Sequence, residues 1–359
     1  MKINSRGLLI NLSLIIISTL IALFVSETAL RLIGFKPLYV SPERDRFWKY
    51  DPLLGWAHQA GQEGIFETPE FRTVVQINKN GLRDREHSYE RQNDMERILV
   101  LGDSFAWGYG VEESERFSQL LEKSLDAEVI NAGVSGYSTD QELLWYQNEG
   151  IKYETDLVIL EFAGNDVGDN DQQLVSQIYY KPRFVIEEGQ LVPIGYPVPK
   201  TSLQGRFIYS LSQRSTLAYF LIQRYFELLA LYEKTKVNSD HANSPVSGGM
   251  SAKDEPFELT ITLIDEMKNI AESRNAKFMI VTTERWWNSR SGETYKEFIN
   301  TLRTEGFLVL DVESMPSFDP EVMLIQDDGH WNQAGHKFVA EQIEGFIESN
   351  RLIDQPPAR

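Results

Sequence analysis

The chain has 359 residues, with 35 Lys plus Arg against 53 Asp plus Glu, giving a formal net charge of −18. That acidity argues against sequence-independent nucleic-acid binding, which needs Lys and Arg to neutralise phosphates. The absence of cysteine excludes disulfides, thiolate–metal sites and a thiol nucleophile. The five His form no close cluster, so no metal site is expected and no cofactor is implied.

The first element is apolar. Leu8 to Val25, "LLINLSLIIISTLIALFV", carries no charge and approaches the roughly twenty residues that cross a bilayer core. Cleavage after Ala29 would put Glu27 at −3, and cleavage after Ser26 would put Phe24 there, so neither makes a good signal-peptide site. Residues 1–35 are therefore read as an uncleaved single-pass anchor, with Glu27 and Arg31 paired at i,i+4. Lys2 and Arg6 favour a cytoplasmic N-terminus, though Arg31 and Lys36 weaken the bias. The rest of the chain is then expected on the extracytoplasmic side.

Residues 36–95 read as an irregular extension with a short β element at "TVVQI" and a turn at "KNG". From Arg97 the pattern changes. "RILVLG", "AEVINAG", "DLVILEFAG", "AKFMIVTT" and "GFLVLDV" are short apolar runs without alternation, the mark of buried parallel strands. Helical stretches separate them: Ser114 to Leu125, Thr139 to Glu149 capped by Ser138 or Thr139, and a last helix from Gln333 capped by Asn332. This alternation predicts an α/β domain over 96–350, with a parallel sheet covered on both faces. An insertion at about 168–258 interrupts it. "STLAYFLIQRYFELLALYEK" is helical and apolar enough to pack on the core or face a membrane, and about 237–256 has the composition of a disordered segment.

Ligands bind beyond the C-terminal ends of strands in such sheets. Those ends carry Gly102-Asp103-Ser104, Asn131 with "AGVSGYST" after it, Gly164-Asn165-Asp166, and the loop "DDGHWN" before the last helix. These are parts for acyl transfer. Ser104 is a nucleophile that needs a base, His330 is the candidate base, and Asp327, three residues before it, is the expected acceptor for its other ring nitrogen. The Ser104 N–H, the Gly136 N–H and the Asn165 side-chain amide are suitable oxyanion donors. A phosphate loop is excluded at "VLGDSFAWGYG", since no Lys follows its glycines at the required spacing.

Four blocks in this order resemble the SGNH hydrolases, or GDSL esterases and lipases: "GDSF", "NAGVSGYST", "FAGND" and "DDGHWNQAG", spread over roughly 97–350. The resemblance implies a three-layer α/β/α sandwich of flavodoxin-like type. It also implies a Ser-His-Asp triad of Ser104, His330 and Asp327, an oxyanion hole of Ser104, Gly136 and Asn165, and hydrolysis without metal. Asp328 is expected to be solvated, Asp103 and Asp166 to be structural, Gly133 to make a tight turn, and His336 to pack. Trp107, Trp286, Trp287 and Trp331 are candidates for a sugar-stacking platform, and Trp107 and Trp331 are the preferred substrate wall because they adjoin the motif blocks. The expected activity is hydrolysis of an O-acyl ester of a small molecule, glycan or lipid. The alternatives are O-acyl transfer to a cell-surface polysaccharide by the same triad and, third, a non-catalytic binding protein on this fold.

Overall fold

Five apolar runs without alternation need cover on both faces, and they receive it. In the computed structural model, which describes residues 5–175, 179–225, 228, 255–287 and 294–354, these runs form one parallel sheet. Of the stretch 237–256, the residues 237–254 lie outside the described ones. The chain divides into two units. One comprises Met1–Val40 and Thr201–Gly249, the other Ser41–Lys200 and Met250–Arg359.

In the first unit α1 spans Ser5–Leu32, and its stretch Ile10–Leu32 is long and apolar enough to cross a membrane. Arg31 Nε lies 2.6 Å from Glu27 Oε1, the expected pair. Within the same unit, Glu27 also accepts the Thr216 and Leu217 N–H groups at 3.0 and 2.8 Å and the Ser215 hydroxyl at 2.8 Å. Those N–H groups open a helix over 216–225, and an acid is favoured at a helix start. The start of the insertion's apolar helical piece therefore packs on α1.

In the second unit, residues 41–95 are more regular than expected. A short α2 (Arg44–Phe47) leads into the antiparallel pair β1 (Trp48–Asp51) and β2 (Gly55–His58), followed by the pair β3 (Glu63–Glu67) and β4 (Arg72–Gln76). β4 alternates buried and exposed residues, so Thr73 and Val75 face inward. Phe47, Phe66, Val75 and Ile77 make a small core with Trp107.

The main sheet comprises β5 (Arg97–Leu101), β6 (Glu128–Asn131), β7 (Leu157–Ala163), β12 (Lys277–Thr283) and β13 (Val309–Asp311), in the order β13-β12-β7-β5-β6. Every residue of β5 and β7 is buried. Taken in chain order the strands lie 2-1-3-4-5, the flavodoxin-like arrangement, with its switch point between β5 and β7. Two apolar clusters lie on the two faces. One packs α5 (Thr139–Asn148) and α9 (Glu255–Ser273) on the sheet; the other packs α4 (Phe117–Leu125) and α12 (Gln333–Asn350). The three-layer expectation holds.

Candidate active site

The chain leaves β5 at Gly102, whose φ is +154°. A Cβ there would lie 2.7 Å from Ala106 Cβ and 2.9 Å from Glu161, so a side chain has no room. Asp103 caps the four-residue helix α3 (Ser104–Trp107), its Oδ1 accepting the Phe105 N–H at 2.8 Å. Gly133 packs against the same helix: a Cβ on it would stand 2.5 Å from Trp107 N. Asn131 ties the loop down by donating to Ala106 O at 2.7 Å and accepting Gly133 N–H at 2.9 Å. Ser104 is thus fixed at the strand end, at the sheet's switch point.

The serine hydroxyl lies 2.7 Å from His330 Nε2. His330 Nδ1 lies 2.5 Å from Asp328 Oδ1, which also accepts the His330 N–H at 3.1 Å. The carboxylate on the histidine is therefore Asp328, and the expectation of Asp327 is corrected. The reason is local geometry. Ile325 pairs with His330 through its N–H, and the N–H groups of Asp328 and Gly329 return to Ile325 O, closing a tight turn. In that turn Asp327 takes a φ of +62° and is exposed, while Asp328 bends forward onto the backbone and ring of the residue two on, an Asx turn. Burial pushes the Asp328 carboxyl up, but the hydrogen bonds and charge of His330 outweigh it and hold it below the usual range. An ionised Asp328 favours the hydrogen on Nδ1 and leaves Nε2 to accept a hydrogen bond from the Ser104 hydroxyl.

Aromatic rings frame the imidazole. Tyr109 stacks on it at 4.2 Å with the planes 26° apart; Trp286 meets it at 4.7 Å and 64°; Phe105 lies at 5.0 Å. Burial, then the charges of Asp328 and Glu70, push the Tyr109 hydroxyl well up, so it stays neutral. His336, expected to pack, is buried, receives the Phe117 N–H on Nδ1 at 3.3 Å, and is pushed down to about 3, chiefly by burial.

The expected oxyanion donors sit on the loops after β5, β6 and β7. Ser104 opens α3, where N–H groups have no partner within the helix. Gly136 has a φ of +82° and an exposed backbone in the turn closed by Tyr137 N–H on Val134 O. Asn165 donates one amide hydrogen to Asp169 Oδ2 at 2.9 Å, which leaves the second free. Behind them lies a set of buried acids: Asp103, Glu142, Glu161 and Asp166. Burial raises all four carboxyls, and the last three, pushed well above the usual range, favour the neutral form. Asp140, also buried, forms an ion pair with Lys181 and is raised to about 6 because burial outweighs that pair.

With this geometry in place, the chain can be compared with known sequences and structures. Residues 100–198 match the model of the GDSL-like Lipase/Acylhydrolase family. Over this segment the chain is similar to the GDSL-like lipase/acylhydrolases. No curated protein matches the chain. Among solved structures, it is similar to a putative lipolytic protein of the G-D-S-L family from Desulfitobacterium hafniense DCB-2 (13% identity, TM-score 0.41, 70% of this chain and 98% of that one). It is also similar to the psychrotrophic esterase EstA from Pseudoalteromonas sp. (13%, 0.40, 71% and 98%) and to the lipase/acylhydrolase from Enterococcus faecalis (14%, 0.38, 74% and 100%).

The aromatic wall differs from expectation. Trp107 is fully buried, with the Arg83 guanidinium 4.3 Å from its ring and Trp48 and Phe66 against it. The β hairpins of 41–95 cover it, a packing the local sequence of the GDSL-like block does not reveal. Trp331 is also fully buried and donates to Glu313 at 3.0 Å. Neither lines a substrate site. Trp287 packs on Tyr295 and Phe298, whereas Trp286 is 44% exposed. Residues the sequence did not single out for this site are Asp328 as the histidine's partner, Asp169 behind Asn165, Asn131 behind Gly133, and Tyr109 on His330. Among the described residues no group of three or more His, Asp or Glu is placed to hold a metal.

Proposed function

We propose that the chain is a serine ester hydrolase that cleaves an O-acyl ester through Ser104, His330 and Asp328. The observation that carries the reading is the unbroken line Ser104 Oγ–His330 Nε2 at 2.7 Å and His330 Nδ1–Asp328 Oδ1 at 2.5 Å, at a strand end of the GDSL-like segment. Ser104 Oγ bonds to the acyl carbon while His330 Nε2 takes its proton. The tetrahedral oxyanion is received by the Ser104 and Gly136 N–H groups and the Asn165 amide. The C–O bond to the alcohol then breaks, and His330 returns the proton to the departing oxygen. Water attacks the acyl-enzyme with His330 as base, releasing the acid and restoring Ser104. A sugar hydroxyl in place of that water would give O-acyl transfer with the same residues.

The helix α1 supports attachment to a membrane as a signal anchor, and Lys2 and Arg6 before it favour a cytoplasmic N-terminus with the catalytic unit outside. The test is turnover of a short-chain ester by the wild type and Ser104→Ala, with circular dichroism as the folding control. Activity retained in the folded variant refutes the proposal.

A further inference from the structure

The ester-hydrolase reading leaves the alcohol half of the substrate open, and the surroundings of His330 bear on it. The proton that His330 returns must reach the alcohol oxygen, so that oxygen sits within hydrogen-bond reach of Nε2. The alcohol must therefore leave past the His330 ring. Tyr109 covers one face of that ring, and Phe105, which is buried, lies behind it. Trp286 stands beside the ring with much of its surface in solvent. It borders a cleft of about 900 Å³, a size suited to a small-molecule or oligomer subsite.

Trp286 is held there by its backbone. Its φ of +56° lies in the left-handed region, a genuine outlier for a bulky residue and a mark of strain that the surroundings must hold. Gly164 makes the position possible, and Gly329 lies in contact with it. A Cβ on Gly164 would meet the carbonyls of Arg285 and Glu284 at 2.8 and 2.9 Å, and one on Gly329 would stand 3.4 Å from the Trp286 ring. The loop 284–287 therefore lies directly against the loops that carry Asn165 and His330.

The cleft has a charge as well as a platform. Its described lining includes Glu284, Glu313, Glu321, Asp327 and Asp328, against the single guanidinium of Arg285, which lies 3.0 Å from Glu313. Carboxylates accept hydrogen bonds from hydroxyl groups, an exposed indole stacks on the apolar face of a sugar ring, and clustered negative charge repels phosphate and carboxylate. We infer that Trp286 and the acidic cleft bind the alcohol half of the substrate, that this alcohol is a neutral or amine-bearing sugar, and that anionic alcohols are rejected. Trp286 is a specificity residue that touches the leaving group. The inference rests on the ester-hydrolase reading for its account of turnover, but the binding it describes is separable from it.

The experiment compares kcat/KM for three substrates: an acetylated cello-oligosaccharide, an acetylated uronic-acid oligosaccharide, and ethyl acetate, whose alcohol cannot stack. In the wild type the neutral sugar ester is expected to exceed the uronic ester by about tenfold or more. That gap should narrow with added salt and in Glu284→Gln/Glu321→Gln. Trp286→Ala should lower the ratio of cello-oligosaccharide ester to ethyl acetate about tenfold, mainly through KM, and Trp286→Phe should keep most of it. Equal turnover of neutral and uronic esters, or equal loss on sugar ester and ethyl acetate in Trp286→Ala, overturns the inference. A second arm titrates unmodified cello-oligosaccharide into Ser104→Ala and into Ser104→Ala/Trp286→Phe, following tryptophan fluorescence. A saturable change that is diminished in the second variant supports the site even if the wild type hydrolyses none of the esters, an outcome that refutes the ester-hydrolase reading alone. No saturable change in either variant overturns the inference.

Discussion

Replacing Asp328 by Asn tests the assignment on which the proposed triad depends. The asparagine can keep a neutral hydrogen bond to His330 Nδ1, now 2.5 Å from the carboxylate oxygen, but it cannot supply the negative charge that faces the imidazolium as Ser104 attacks. Two unit charges about 4 Å apart at an effective dielectric of about 20 interact by about 4 kcal/mol. At 1.36 kcal/mol per tenfold, that loss slows the chemical step by about 10³. A flipped amide presenting its NH₂ to Nδ1 would force the wrong tautomer and raise the penalty to about 10⁴. The assay is kcat on a short-chain ester for Asp328→Asn and Asp327→Asn in parallel, with thermal melts as a folding control. Asp327 is exposed and the Nδ1 position is already held by Asp328, so its variant should lose at least a hundredfold less. A larger loss in Asp327→Asn than in Asp328→Asn refutes the reasoning.

Other expectations follow from the same geometry. Asn165→Ala removes one oxyanion donor and should lower kcat by about 10²–10³ with little change in KM, whereas an effect confined to KM would contradict that role. Gly133→Ala puts a methyl 2.5 Å from Trp107 N, so it should destabilise the fold by about 1–3 kcal/mol in urea unfolding, and an unchanged midpoint would count against the packing described. Stability should also depend on pH in a set direction. Glu142, Glu161 and Asp166 have folded pKa values raised well above 4.5, 4.5 and 3.8, so their contribution is complete below those values and is lost as pH rises. His58 and His336, lowered from 6.5 to about 4 and about 3 by burial, act oppositely and only below about pH 6.5. Tm should therefore fall between about pH 6.5 and 8, less steeply in Glu161→Gln; a rise over that window contradicts the burial argument.

The sheet was legible in the sequence because parallel strands buried on both faces appear as mainly apolar runs without alternation, and all five do so here. The strand ends that carry Ser104 and Asn165, and the loop before the last helix that carries His330, followed from the same reading. What local sequence could not show is contact across elements. The hairpins of 41–95 bury Trp107, so a residue beside the nucleophile block became core. The choice between Asp327 and Asp328 turned on a backbone φ within one tight turn, where a spacing of three and a spacing of two are equally compatible with the letters. Trp286 and Trp287 are adjacent and chemically identical, yet one packs on α10 (Tyr295–Thr304) and the other faces the cleft. The four buried acids were legible only singly. Glu161 lies mid-strand in an apolar run, and its proximity to Asp103 and Gly102 comes from pairing β7 beside β5.

The central claim is that Ser104 is a nucleophile activated by His330. Intact-mass and peptide mass spectrometry after treatment with a fluorophosphonate tests it most directly. The account predicts one adduct per chain, located on Ser104, absent in Ser104→Ala and strongly slowed in His330→Ala. An adduct on another residue, or an unmodified Ser104 in the folded wild-type protein, would contradict it.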